Sequence, residues 1–171
     1  MTLEHGGSSF YSGETTFFLL SGIVVGVPVS LFFENIADQW FTTIGVATVV
    51  APFVEEYAKG SLLFFRYERR GRALVALGLL SGLGFGLAEA ALYLYLGAPF
   101  VLRLPAVFAH AAMTLIVAYG VHARRTAAYY SLAVVFHFLH NLLAALGTLT
   151  PSFGVTLVSY ITAAILYQRA R

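Results

Sequence analysis

The sequence predicts an all-α fold: a polytopic membrane helix bundle of about six transmembrane helices, with both termini cytoplasmic. Three observations carry that reading. Of the 171 residues, 59% are apolar and only 11% charged, against about a quarter charged in a soluble domain. Apolar stretches of about 20 residues, the length a bilayer core requires, recur along the chain. The ten basic residues collect mainly in the breaks between those stretches. This composition excludes a soluble enzyme, a disordered chain and a nucleic-acid-coating protein. With no cysteine, disulfides, thiolate nucleophiles and cysteine-ligated metals are excluded as well.

Residues 1–15 are polar and rich in glycine and serine, and read as a loose tail. They lack the basic start of a signal peptide. The six spans follow at 16–34, 41–65, 73–96, 101–122, 127–147 and 151–168. The connections are short and polar. Glu34 to Asp38 closes the first, Arg66 to Arg72 the second, and Gly97-Ala98-Pro99 the third. Arg124-Arg125 and Gly147 to Pro151 complete the set. The spans use most of the chain, so residues 1–171 read as one membrane domain whose motif-bearing core is about 50–145. Arg66, Arg69, Arg70, Arg72, Arg124, Arg125, Arg169 and Arg171 all fall on one side of a six-span chain. The positive-inside rule makes that side cytoplasmic. Arg103 alone lies on the other side, and Lys59 lies within span two. The protein is expected in the cell membrane as a multi-pass protein. Its expected partners are the lipid bilayer and a membrane-anchored or single-span protein substrate, with no nucleic acid.

Ionisable residues inside a span cost about 2.5–3.5 kcal/mol each on insertion scales and call for a reason. Span two carries Glu55, Glu56 and Lys59, and span three carries Glu89. Span four carries His110, and span five His137, His140 and Asn141. At about 1.5 Å of rise per residue, these groups lie roughly 15–25 Å from the basic ends of their helices. Four helices of alternating direction therefore bring them to one layer, which predicts one shared interior site. Glu55 and Glu56 are about 100° apart on a helix and cannot point the same way, while Lys59 is in reach of either. Pro52, just before the pair, invites a kink. Gly78, Gly82 and Gly86 form a stripe that lets a neighbouring helix approach where Glu89 emerges. Of His137 and His140, one is expected in the site and the other on a neighbouring carbonyl. The tyrosines, Tyr93 among them, read as interface or packing residues.

The motif Pro52-Phe53-Val54-Glu55-Glu56-Tyr57-Ala58-Lys59 resembles the EExxK motif of the PrsW family of intramembrane proteases. Gly82 to Ala90 is similar to that family's Gly-Phe-rich block ending in Glu-Asn, with Ala90 in place of the asparagine. Arg103, His110 and Gly120 resemble its third block, and His137-Phe138-Leu139-His140-Asn141 its last. The wider relatives are the CAAX-protease and bacteriocin-processing membrane enzymes, whose EExxxR motif is approximated here with Gly60 at the arginine position. The resemblance implies hydrolysis of a peptide bond within the membrane. One carboxylate of the Glu55/Glu56 pair would activate water, and the histidines would assist.

The residues agree with that chemistry, since amide hydrolysis needs a base, a water and an oxyanion stabiliser. Glu55, Glu56, Glu89, His110, His137, His140 and Asn141 are the candidate catalytic residues. Lys59 and Arg103 support them. The cofactor is either none or a divalent metal such as zinc, held by Glu89, His110 and His137 or His140. There is no HExxH motif, and the sequence slightly favours the metal-free form. A proton-coupled carrier would use similar buried groups, and a non-catalytic membrane scaffold is the third reading.

Overall fold

The computed structural model describes residues 12–66 and 71–171. Arg69, Arg70 and residues 1–11, including His5, lie outside the described residues. Among those described there is no strand, and six long helices follow one another. Helix α1 runs through Ser12–Ser21, a π-helical stretch Gly22–Gly26, and Val27–Ala37. Helix α2 runs through Thr43–Gly45, a second π-helical stretch Val46–Val50, and Ala51–Phe64. Helices α3 (Arg72–Tyr95), α4 (Phe100–His122), α5 (Thr126–Ala145) and α6 (Leu149–Arg169) complete the bundle. Five of them, α1 and α3 to α6, are long and apolar enough to cross a membrane. Helix α2 has the length, but Glu55, Glu56 and Lys59 interrupt its apolar run. The first helix begins at Ser12, inside the stretch read as a tail, with Glu14 in its first turn, where a carboxylate favours the helix dipole.

Helices α3 and α4 are central: 61% of the apolar window of each is buried, against 22–28% in α1, α5 and α6. The glycine stripe explains their closeness. A methyl group at Gly82 would fall on the carbonyl oxygen of His110 and within 2.7 Å of Thr114 Oγ1. One at Gly86 would lie 2.8 Å from Val107 Cα. On another face of α3, Gly84 meets the backbone carbonyl of Leu19 in α1. Small residues thus bring three backbones together, the packing mode expected where lipid removes the ordinary hydrophobic drive. We expect Gly82→Ala to destabilise the bundle by about 1–3 kcal/mol, the usual cost of overpacking. Gly154→Ala, with open space around it, should be neutral. Thermal unfolding in micelles compares the two.

Short connections make neighbours antiparallel. Helices α3, α4 and α5 each end on a left-handed residue, Gly97, Arg124 and Gly147. In each case the next residue's N–H reaches back to Tyr93, Gly120 or Leu143, the Schellman arrangement. The described basic residues of the turns and of the end of α6 gather at one end. Gly71 N–H donates to His122 Nδ1 at 3.0 Å, and Arg72 stacks over Tyr167. The start of α3, the α4–α5 turn and the C-terminal end of α6 therefore lie together. Outward-facing Phe17, Val24, Phe32, Phe53, Leu157 and Ile161 form an exposed apolar surface of the kind that lipid covers.

Pro52 acts differently from the simple kink expected. The N–H of Ala51 donates to Val46 rather than to Ala47, and Pro52 has no N–H to offer in the shifted register. The carbonyl of Ala47 is thereby left to a side chain. Asn141 Nδ2 donates to it at 2.9 Å, fastening α5 to the π-helical stretch just before Glu55.

Candidate active site

The polar groups of four helices do meet. Lys59 Nζ, fully buried, donates to Glu56 Oε1 at 2.7 Å and to His110 Nδ1 at 2.8 Å. It lies 4.7 Å from the centre of the Phe85 ring. Because an ammonium only donates, His110 Nδ1 must accept, which leaves its proton on Nε2. That N–H donates to Glu89 Oε2 at 2.9 Å, and Arg103 Nη2 donates to the same oxygen at 2.8 Å. His137 Nδ1 donates to Glu56 Oε1 at 2.9 Å, which leaves Nε2 with a free lone pair. Each imidazole thus has one nitrogen held by a carboxylate and the other turned inward.

The inward nitrogens share a neighbour. Glu55 Oε2 lies 3.7 Å from His110 Nδ1, from His137 Nε2 and from Lys59 Nζ. It is buried and has no hydrogen-bond donor. Glu55, His110 and His137 offer ligand atoms all within 4.8 Å of one another. Two imidazoles and a carboxylate are a common set for a catalytic divalent metal, and imidazoles oriented by carboxylates are its usual surround. The residues therefore fit such an ion, on the evidence of the donorless oxygen and the two lone pairs. The hydrogen bond from Lys59 and a metal bond to His110 Nδ1 exclude each other. Glu56 Oε2 is also buried without a donor.

This regroups the expected metal set. Glu89 orients His110 instead of joining the group of three, and Glu55 takes its place. His140 is turned away toward α6, where Ser152 Oγ at 3.0 Å and Thr156 Oγ1 at 3.1 Å hold its Nδ1. One amide hydrogen of Asn141 is engaged by Ala47. The adjacent glutamates separate as the helical angle requires. Glu56 has no exposure and lies inside the bundle, whereas Glu55 lines a cavity of about 360 Å³.

Glu89, Arg103, His140 and Asn141 line the same cavity. Two further lining residues were missed in the sequence. Tyr93, read as an interface residue, lies under the Arg103 guanidinium at 3.8 Å. Glu34, read as part of a connection, also faces the cavity. Its signal was available: Val27, Ser30, Leu31 and Glu34 follow a helical i, i+3, i+4, i+7 stripe, and all four line the wall. A larger cleft of about 460 Å³ between α4 and α6, walled by Leu104, Phe108, Leu157 and Tyr160, offers no carboxylate, imidazole or amine.

The sequence profile of the PrsW family intramembrane metalloprotease matches residues 14–167. The chain belongs to this family. No curated protein and no solved structure matches it. Membership makes the PrsW-family chain an intramembrane protease. The family's description as metalloproteases runs against the metal-free preference of the sequence reading, and the donor pattern gives a reason. With neutral imidazoles, His110 Nδ1 and His137 Nε2 accept and cannot donate to an oxyanion. They suit a cation.

Proposed function

We propose that this PrsW-family chain is an endopeptidase that hydrolyses a peptide bond of a single-span or membrane-anchored protein, with Glu55 as the water-activating carboxylate. The observation that supports this most is the position of Glu55 Oε2. It lies 3.7 Å from His110 Nδ1 and His137 Nε2 and has no donor of its own, in a residue that lines the cavity wall. Glu55 takes the proton of the attacking water as the water oxygen bonds to the scissile carbonyl carbon. It returns that proton to the nitrogen as the C–N bond breaks. Glu89 and Glu56 hold the imidazole rings in the tautomers that keep their inner nitrogens unprotonated. Lys59 neutralises Glu56. His110, His137 and one oxygen of Glu55 would hold a divalent ion such as zinc, leaving the other Glu55 oxygen to take the proton; such an ion when bound lowers the pKa of its water to about 7 and polarises a carbonyl.

The cavity lies toward the end of the bundle opposite the basic turns. Its wall is built from the C-terminal parts of α1, α3 and α5 and the N-terminal parts of α2 and α4. If the basic end is cytoplasmic, as the positive-inside rule favours, both termini are cytoplasmic. Substrates would then be cut in the outer half of the cell membrane. N-terminal profiling of membranes expressing the wild-type chain or its Glu55→Gln variant tests the function. We expect new N-termini within or beside the spans of membrane proteins, present only with the wild type. The purified chain in liposomes should reproduce those cuts, lose them to a chelator and regain them with zinc. Cuts that persist in Glu55→Gln, or that never arise, would overturn the proposal.

A further inference from the structure

We infer that Glu34 forms a subsite for a basic side chain, lysine or arginine, of the polypeptide that enters the cavity. This rests on the hydrolytic reading of the same cavity and adds a substrate class to it. The cavity wall carries three carboxylates, Glu34, Glu55 and Glu89, and one guanidinium, Arg103. The guanidinium is engaged through Nη2, while its buried Nε has no partner. Its Nη2 bonds Glu89 at 2.8 Å, and its plane rests 3.8 Å from the centre of the Tyr93 ring. Lys59 is committed as well, to Glu56 at 2.7 Å. Among the described residues, no hydrogen bond or ion pair holds the Glu34 side chain. A second wall carboxylate, Glu55, is 5% exposed, with an oxygen that has no donor. Among the charged groups of the wall, three carboxylates thus face one guanidinium.

Position gives Glu34 a separate task from Glu55. It stands one helical turn before α1 ends at Ala37, on the same stripe as Val27, Ser30 and Leu31 that lines the wall. The six basic residues described in the turns and at the chain's end, Arg66, Arg72, Arg124, Arg125, Arg169 and Arg171, all belong to the opposite end. A chain segment that crosses Glu55 and leaves toward the near end passes Glu34, which is paired with no cation among the described residues. A lysine or arginine there would pair with Glu34, and a glutamate would be repelled. Charge placed in this way selects partners more than it adds raw affinity.

The test uses binding, so that turnover is not needed. The full chain carrying Glu55→Gln is placed in nanodiscs of zwitterionic lipid. It is titrated with fluorescein-labelled peptides that have a 20-residue Leu/Ala span followed by two lysines, two glutamines or two glutamates. We expect the lysine peptide to bind about tenfold tighter than the glutamine one, about 1.4 kcal/mol. Adding the isosteric Glu34→Gln should erase that preference, and Glu34→Lys should turn it toward the glutamate peptide. Melting temperatures check that each variant is folded. Equal affinity for lysine and glutamine peptides, a preference that survives Glu34→Gln, or no binding of any peptide would overturn the inference. The hydrolytic reading fails separately, if the chain with Glu55 intact binds the lysine peptide with that preference but produces none of the membrane-protein cuts described above.

Discussion

Glu55→Gln is expected to lower peptide hydrolysis by on the order of a thousandfold, within the range assigned to a positioned acid–base group, while the protein stays folded. The substitution keeps the shape of the side chain and removes the charge. Glu55 Oε2 accepts no hydrogen bond in the resting arrangement, so glutamine leaves no protein donor stranded. The effect should therefore fall on turnover and on retention of zinc. Rates in liposomes, metal content after purification and the melting temperature together check this. An active Glu55→Gln protein would transfer the role to another carboxylate. Glu56 is the weaker candidate. Its Oε1 already receives Lys59 and His137, and it has no exposure to the cavity.

Lys59→Met is expected to have the largest effect on stability. The ammonium is fully enclosed and bonds both Glu56 and His110. Removing one partner of a buried ion pair leaves an uncompensated charge and costs about 3–5 kcal/mol. The double variant Lys59→Met with Glu56→Gln removes both charges, and His137 can still donate to the glutamine oxygen. Most of the loss should then be recovered, a coupling that a double-mutant cycle isolates. Thermal unfolding of the four proteins in micelles reads it. A double variant no better than Lys59→Met would mean that the lysine acts through His110 and packing instead of through Glu56.

Much of this protein was legible in its amino-acid order. Helix number follows from apolar length, and the common end of the basic turns follows from counting spans. The meeting of Glu55, Glu56, Lys59, Glu89, His110 and His137 follows from equal depth on antiparallel helices, because rise per residue is nearly constant. The stripe Gly78, Gly82 and Gly86 foretold the close approach of α4. What the order of residues could not decide was the rotation of each helix about its axis relative to its neighbours. That rotation depends on long-range packing. The carbonyl of His110 sits against Gly82, and Asn141 fastens to the carbonyl that Pro52 leaves without a donor. Those contacts turn Glu55 to the cavity and Glu56 to the interior. They make Glu89 the orienting partner of His110 and bring Glu34 from an apparent loop into the wall. A period of 3.6 residues tells which side chains share a face. Only the assembled bundle tells what that face meets.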